Sequence, residues 1–304
     1  MISEELASIA RKVTAIIALL VLSGCGWTQA PTLDVQGPIA RTERNLLFAA
    51  TGLMLIVIIP VFVMAFWFTW RYRVSHPKAP YTPDWNYSLR IDLIVWLVPT
   101  LIVVAISYLV WTYTHKLDPY KQLAAARAPL HVEVIAEDWK WLFLYPSQNI
   151  AIVNQLVFPS DRPLSLKITS DTVMNSFYIP GLGGQIFAMA GMRTKLNLRA
   201  WRPVTLVGRN TQYSGHGFPD QYFAVRATTE ANFRVWVAQV KHSRNTLDAA
   251  AYAALTKPTG GSSITWYSSY EPGLFARVIA QYSAPMRHDN PRRAAAMIMQ
   301  SGSK

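Results

Sequence analysis

The chain has 304 residues, 51% of them hydrophobic, and a formal net charge of +12. It contains one cysteine, Cys25, so everything after that position lacks the thiols needed for a disulfide, a thiolate nucleophile or a copper–thiolate centre. The excess of basic residues favours attraction to anionic lipid or to an acidic partner subunit.

The first 24 residues have the pattern of a lipoprotein signal peptide. Arg11 and Lys12 are followed by the uncharged stretch Val13–Leu22, and small residues then lead to Cys25. This order is typical of a secretory leader, and the apolar stretch is too short to span a bilayer. Leu22-Ser23-Gly24-Cys25 resembles a lipobox, which predicts that Cys25 becomes an acylated N-terminus carrying, for example, palmitate. The alternative is a buried free cysteine in an apolar helix.

Two long uncharged stretches follow, Leu46–Trp70 and Leu93–Tyr113. Each exceeds the roughly 20 apolar residues that a spanning helix needs. They predict a two-helix transmembrane hairpin over residues 46–115, preceded by an external segment at 25–45.

The loop between these stretches, 71–90, contains four basic residues against the single acid Asp84. The excess of positive charge places this loop in the cytoplasm, as for other short loops of membrane proteins. The N-terminus and everything after about His115 are then periplasmic, and the chain is predicted to be a multi-pass lipoprotein of a bacterial inner membrane.

Asp92 lies at the cytoplasmic start of the second stretch. An acid in the first turn of a helix is favoured by the helix dipole, and Arg90 offers a partner. An ionisable group at a membrane span also often marks a path for protons or ions. The residues alone leave both interpretations open.

Residues 116–228 are predicted to form an all-β domain. Short β-prone runs separated by turn signals are typical of a sandwich or barrel. The predicted strands are His131–Ala136, Trp139–Tyr145, Ile150–Phe158, Leu164–Thr169, Asn175–Ile179, Met192–Leu198, Val204–Arg209 and Tyr222–Ala227.

Residues 229–283 are predicted to form helices over Thr229–Lys241, Asn245–Leu255 and Leu274–Ile279, together with an aromatic-rich arm. The basic tail, 284–304, has little to bury and is predicted to be disordered.

Three motifs carry a resemblance to subunit II of the haem–copper respiratory oxidases. They are Val95-Trp96-Leu97-Val98-Pro99 in the second span, Asp138-Trp139-Lys140-Trp141, and the segment from Val173 to Pro180. The resemblance covers nearly the whole chain after Cys25 and implies a cupredoxin-like Greek-key domain anchored by two transmembrane helices.

In the cytochrome c oxidases of this family, the domain holds a dinuclear copper centre called CuA, built on bridging thiolates and imidazoles. The matching positions here hold residues that cannot rebuild it, which implies that this chain binds no metal. They are Asn175, Asn210, Gln212, Ser214, Phe218 and Gln221. His216 is interpreted as a surface residue, and the nearby methionines Met174, Met189 and Met192 as packing or loop residues.

This combination resembles the quinol oxidase branch, the cytochrome bo type. The resemblance implies a non-catalytic subunit of a ubiquinol oxidase that reduces oxygen and pumps protons. Haem, copper and ubiquinone are expected in subunit I, the main partner, with subunits III and IV also present. A docking face for basic cytochrome c would be acidic, so cytochrome c is not an expected partner of this basic domain. Nucleic acid is not an expected partner either, because the domain lies outside the cytoplasm. The resemblance also favours proton uptake at Asp92. The alternative function is a stand-alone envelope lipoprotein with a cupredoxin-like domain.

Overall fold

The computed structural model describes residues 30–73, 84, 86–124, 127–259 and 263–283. These residues fall into two compact units. One is Thr42–Asp118, and the other joins the residues before it to those after it. Cys25, most of the 71–90 loop and the tail lie outside the described residues.

Two helices are long and apolar enough to cross a membrane, α1 (Pro38–Arg71) and α2 (Leu89–Lys116). The first unit contains all of α2 and all of α1 except its first four residues. Both extend beyond the predicted spans at each end. Each continues through a proline, Pro60 or Pro99, which spanning helices tolerate where the freed backbone groups find other partners.

The described residues of the second unit form eleven strands and, after them in the chain or between them, three α-helices. The strands are β1 Leu130–Glu137, β2 Lys140–Tyr145, β3 Ile150–Val153, β4 Gln155–Pro159, β5 Leu164–Ser170, β6 Asn175–Tyr178, β7 Ile186–Ala188, β8 Thr194–Leu198, β9 Val204–Asn210, β10 Tyr222–Thr228 and β11 Thr265–Tyr267. The helices are α3 Glu230–Lys241, α4 Ala249–Leu255 and α5 Leu274–Ser283.

The strands form two sheets that pack as a sandwich, which confirms the predicted cupredoxin-like class. Sheet A has the order β11-β3-β2-β1-β5-β8, and sheet B has the order β4-β10-β9-β6-β7. The pairs β1–β5 and β4–β10 are parallel, whereas the other pairs are antiparallel.

The prediction of one strand over Ile150–Phe158 is wrong, because Asn154 divides it into β3 and β4. Asn154 has a φ of 57°, a left-handed conformation that asparagine tolerates better than most residues. Its side-chain oxygen accepts a hydrogen bond from the backbone N–H of Trp141 at 2.9 Å. The chain therefore leaves sheet A and enters sheet B within one residue.

Aromatic side chains fill the space between the sheets. Trp141, Phe143, Phe177 and Phe223 are fully buried, and the ring centroids of Phe177 and Phe223 lie 5.0 Å apart. Gly208 faces this cluster, and a Cβ atom there would lie 2.1 Å from the ring of Phe223. The close approach of the ring requires glycine at this position.

The aromatic-rich arm, here residues 242–259 and 263–283 with the helices α4 and α5, covers the other face of sheet A. Leu142 and Leu144 pack there with Leu274 and Val278 of α5. Strand β2 is consequently buried on both faces, which explains why its sequence is apolar without alternation.

Two predicted helices differ from those observed. The predicted helix over Asn245–Leu255 begins only at Ala249, because the side chain of Asp248 caps it by accepting from Ala251 N at 2.8 Å. The helix predicted over Leu274–Ile279 continues to Ser283. Strands β7 and β11 were not predicted, since each is only three residues long.

Candidate functional site

Four of the six positions that correspond to copper ligands meet at one end of the sandwich. Asn175 begins β6, Asn210 ends the neighbouring strand β9, and Gln221 immediately precedes β10. Ser214 comes from the loop between β9 and β10. Three strand ends and one loop therefore converge at this place, although no thiolate or imidazole is present at these positions.

The four side chains form a closed network of hydrogen bonds, here called the amide ring. The amide nitrogen of Asn210 lies 2.8 Å from Asn175 Oδ1, 2.8 Å from Gln221 Oε1 and 3.1 Å from Ser214 Oγ. Gln221 Nε2 donates to Asn175 Oδ1 at 3.0 Å, and Ser214 Oγ donates to Gln221 Oε1 at 2.8 Å. Asn175, Asn210 and Gln221 are buried.

Backbone groups complete the amide ring. Asn210 Oδ1 accepts from the N–H groups of Ser176 at 2.8 Å and Gln212 at 3.0 Å. Asn175 Nδ2 donates to the carbonyl of Val173 at 2.8 Å. The amide groups therefore bind one another and the backbone, as buried polar groups must. A soft metal such as copper prefers sulfur and imidazole ligands, so this donor set does not fit a CuA centre.

The remaining two positions lie outside the ring. Gln212 contributes its backbone N–H, and its side chain is half-buried. The ring of Phe218 packs against Tyr213, with centroids 5.8 Å apart. His216 is exposed, and the part of the chain that the structure describes contains no group of three or more His, Cys, Asp or Glu residues that could hold a metal.

Trp139 lies against the loop that carries Ser214. Its indole N–H donates to the carbonyl of Ser214 at 3.2 Å, and its ring packs so closely on Gly217 that a Cβ there would lie 2.3 Å away. Trp139 itself has a φ of 61°, in the left-handed region. The Asp-Trp-Lys-Trp motif thus positions the loop beside the amide ring.

A second polar cluster was not singled out by sequence reasoning. Tyr252 Oη lies 2.8 Å from Glu137 Oε1 and 2.8 Å from Asp171 Oδ2, beneath the arm. Glu137 shares a strand face with Ile135, because alternate residues of β1 point the same way. The shared face indicates burial of Glu137 only once the arm is known to cover this face of sheet A.

Asp92 lies in the first turn of α2 and is exposed in this chain. Its backbone N–H donates to the carbonyl of Ser88 at 2.9 Å. Arg90 is not paired with it, since the ion pairs between described residues involve other side chains. The suggested Arg90 partner for Asp92 is therefore wrong in this structure.

Comparison with known proteins gives consistent matches. The family model named COX Aromatic Rich Motif matches residues 241–286, the arm. The chain is 47% identical over 271 residues to cytochrome bo(3) ubiquinol oxidase subunit 2 of Pseudomonas putida, covering 89% of this chain and 85% of that protein. It is 41% identical over 301 residues to ubiquinol oxidase subunit 2 of Acetobacter aceti, covering 98% and 96%.

Among solved structures, the periplasmic domain of subunit II of cytochrome oxidase (CoxB) of Bradyrhizobium japonicum matches with 19% identity. The match has a TM-score of 0.36 and covers 38% of this chain and 96% of that domain.

Proposed function

The chain belongs to the family of ubiquinol oxidase subunit 2 proteins, and we propose that its outer domain serves as a copper-free cap on subunit I. The complex is a haem–copper oxidoreductase, and this subunit is non-catalytic. The observation that carries the proposal is the amide ring. Its donors and acceptors are occupied by one another and by the backbone, so the domain keeps its shape without a metal.

The proposed route of electrons bypasses this domain. Quinol is oxidised within the membrane, and its electrons pass to haem and copper held by subunit I. The two apolar helices supply the contact surface for subunit I, and subunits III and IV complete the assembly. The positive charge of the chain, +12, agrees with the proposal that no basic cytochrome c docks on it.

Co-purification tests this function. The chain carrying an affinity tag is isolated from membranes in mild detergent, and visible spectra, quinol oxidation and cytochrome c oxidation are measured. We expect haem-containing partner subunits, oxygen consumption with quinol and none with reduced cytochrome c. A colourless chain isolated alone would instead support the stand-alone lipoprotein, and copper in stoichiometric amount bound by the outer domain would contradict the cap.

Asp92 is proposed to take up protons at the cytoplasmic side. The supports are its exposed position in the first turn of α2 and the positive charge of the preceding loop. Asp92→Asn is expected to slow oxygen reduction, whereas Asp92→Glu retains the ionisable group and the rate. Asp84→Asn is the matched control, because Asp84 is an exposed acid of the loop that precedes α2. Full activity of assembled Asp92→Asn would refute the role.

Lipidation of Cys25 is proposed to anchor the periplasmic N-terminus in the inner membrane. Its support is the leader pattern ending in Leu22-Ser23-Gly24-Cys25. The test is incorporation of radioactive palmitate together with the mass of the mature chain. We expect Cys25→Ser to lose the label and to remain unprocessed, and unchanged processing without any label in the native chain would contradict this proposal.

A further inference from the structure

A pair of buried carboxyl groups lies between sheet A and the arm. Glu137 ends β1 and has no exposed surface, and Asp171, which follows β5, is 5% exposed. The hydroxyl of Tyr252, from helix α4 of the arm, lies 2.8 Å from an oxygen of each. A hydroxyl has one hydrogen and can donate to only one of two carboxylates.

This geometry requires a proton on one carboxyl group. Two ionised carboxylates sharing a buried site repel one another, so one of them stays protonated. Asp171 is the better ionised partner, because the side-chain amide of Gln281 donates to its Oδ1. The hydroxyl of Tyr282 also donates to the backbone carbonyl of Asp171. The proton therefore belongs on Glu137.

The charged groups around Glu137 agree with this assignment. Burial raises the pKa of Glu137 well above its ordinary value, and the negative charges of Asp171 and Asp138 raise it further. A hydrogen bond that Tyr252 donates to the ionised carboxylate and the charge of Lys140 lower this pKa, but they offset the increase only in part.

Lys140 is the basic group near Glu137, but its ammonium hydrogen bonds are directed elsewhere. It donates to the carbonyls of Leu255 at 2.8 Å and Lys257 at 2.9 Å, and to Thr259 Oγ1 at 2.7 Å. These acceptors lie at the C-terminal end of α4 and just after it, where a cation is favoured by the helix dipole. Because Lys140 makes these hydrogen bonds, we infer that a proton neutralises Glu137.

We propose that Glu137, Tyr252 and Asp171 form a proton-binding site that holds one proton and thereby fastens the arm to the sandwich. Glu137 Oε1–H donates to Tyr252 Oη, and Tyr252 Oη–H donates to Asp171 Oδ2. Loss of the proton leaves two carboxylates facing one hydroxyl and weakens the attachment of α4 and α5. This site controls how the arm is attached to the sandwich, which goes beyond the proposed function of the domain as a cap.

The direction of the pH dependence follows from the raised pKa. When the arm opens, Glu137 meets water and its pKa returns to about 4.3. The stability that the proton contributes is complete below that value and is lost as the pH rises through the raised pKa. Between the two pKa values, the equilibrium constant for opening rises about tenfold per pH unit.

Hydrogen exchange of the arm within the intact complex tests the site. Exchange of amides in Leu274–Ser283 is measured between about pH 5.5 and 8.5 and corrected for the intrinsic rate. We expect opening to rise about tenfold per pH unit in the native chain until the raised pKa is passed. Glu137→Gln, which is neutral and can still donate to Tyr252, is expected to abolish this slope.

Asp220→Asn is the matched control, because Asp220 is an exposed acid outside the cluster and its variant should keep the slope. Infrared difference spectra between the native complex and Glu137→Gln should show a carboxylic-acid band at neutral pH that the variant lacks. Arm exchange independent of pH in the native chain, an unchanged slope in Glu137→Gln, or identical spectra would each overturn the proposal. If Glu137→Gln does not fold, the slope and the pH titration of the band in the native complex decide.

Discussion

Replacement of Asn210 by leucine tests whether the amide ring holds the outer domain together. Leucine keeps the branching of the side chain at Cγ, although it is larger, and it neither donates nor accepts, so the N–H groups of Ser176 and Gln212 lose their acceptor. A buried donor left unpaired costs about 1–3 kcal/mol, and the half-buried Gln212 N–H costs less because water can reach it. Gln221 still donates to Asn175, so that contact survives. The expected loss is about 2–4 kcal/mol in the free energy of unfolding.

The assay is thermal unfolding of the full-length chain in detergent, followed by tryptophan fluorescence. For a domain of this size, about 1 kcal/mol lowers the midpoint by roughly 2–4 °C, so we expect a decrease of about 5–15 °C. Gln212→Ala is the matched control, and its midpoint should change by less than about 2 °C, as for other surface substitutions. If Asn210→Leu is as stable as the native chain, apolar packing suffices at this site and the argument for the amide ring fails.

Two further substitutions test the packing of the domain. Gly208→Ala should destabilise it by about 1–3 kcal/mol, because the added Cβ would lie 2.1 Å from the ring of Phe223. Gly52→Ala, where a Cβ would meet nothing within 4 Å, is the control, and equal midpoints in thermal unfolding would contradict the expectation. Lys140→Met keeps an unbranched side chain that is one atom shorter, but it removes three hydrogen bonds to residues 255–259. We expect protease to cleave that segment several-fold faster at low concentration, and native-like resistance would show that Lys140 does not hold the arm.

The membrane helices and most strands could be predicted from the sequence because their signals are local. A long uncharged stretch identifies a span, and alternation or a β-prone run identifies a strand. The break at Asn154 could not be predicted in this way, since β-prone apolar residues lie on both sides of the pair Asn154-Gln155. Its left-handed conformation is favoured by a tertiary contact, the hydrogen bond to Trp141, which lies in another strand.

The functional positions also divide into those that could be predicted from the sequence and those that depend on the fold. Alignment to a known motif identified Asn175, Asn210 and Gln221, but their mutual hydrogen bonds depend on how three strand ends converge. The burial of Glu137 and Asp171 could not be predicted from local sequence, because acids at the ends of strands are usually exposed. Burial of this pair results from the arm, whose contact with sheet A joins residues more than 100 positions apart.

The chemistry of the amide ring explains why asparagine suits the central position. Asn210 must accept two backbone N–H groups with one atom and donate to side-chain oxygens with another. Serine is too short to do both, leucine can do neither, and aspartate would place its second oxygen against the acceptors of Asn175 and Gln221. A carboxamide is the one side chain of this size with both functions and no charge. Because it does not titrate, the amide ring keeps its hydrogen bonds at any pH at which the neighbouring carboxyl pair gains or loses its proton. The proposed response of the arm to pH therefore leaves the hydrogen bonds of the amide ring unchanged.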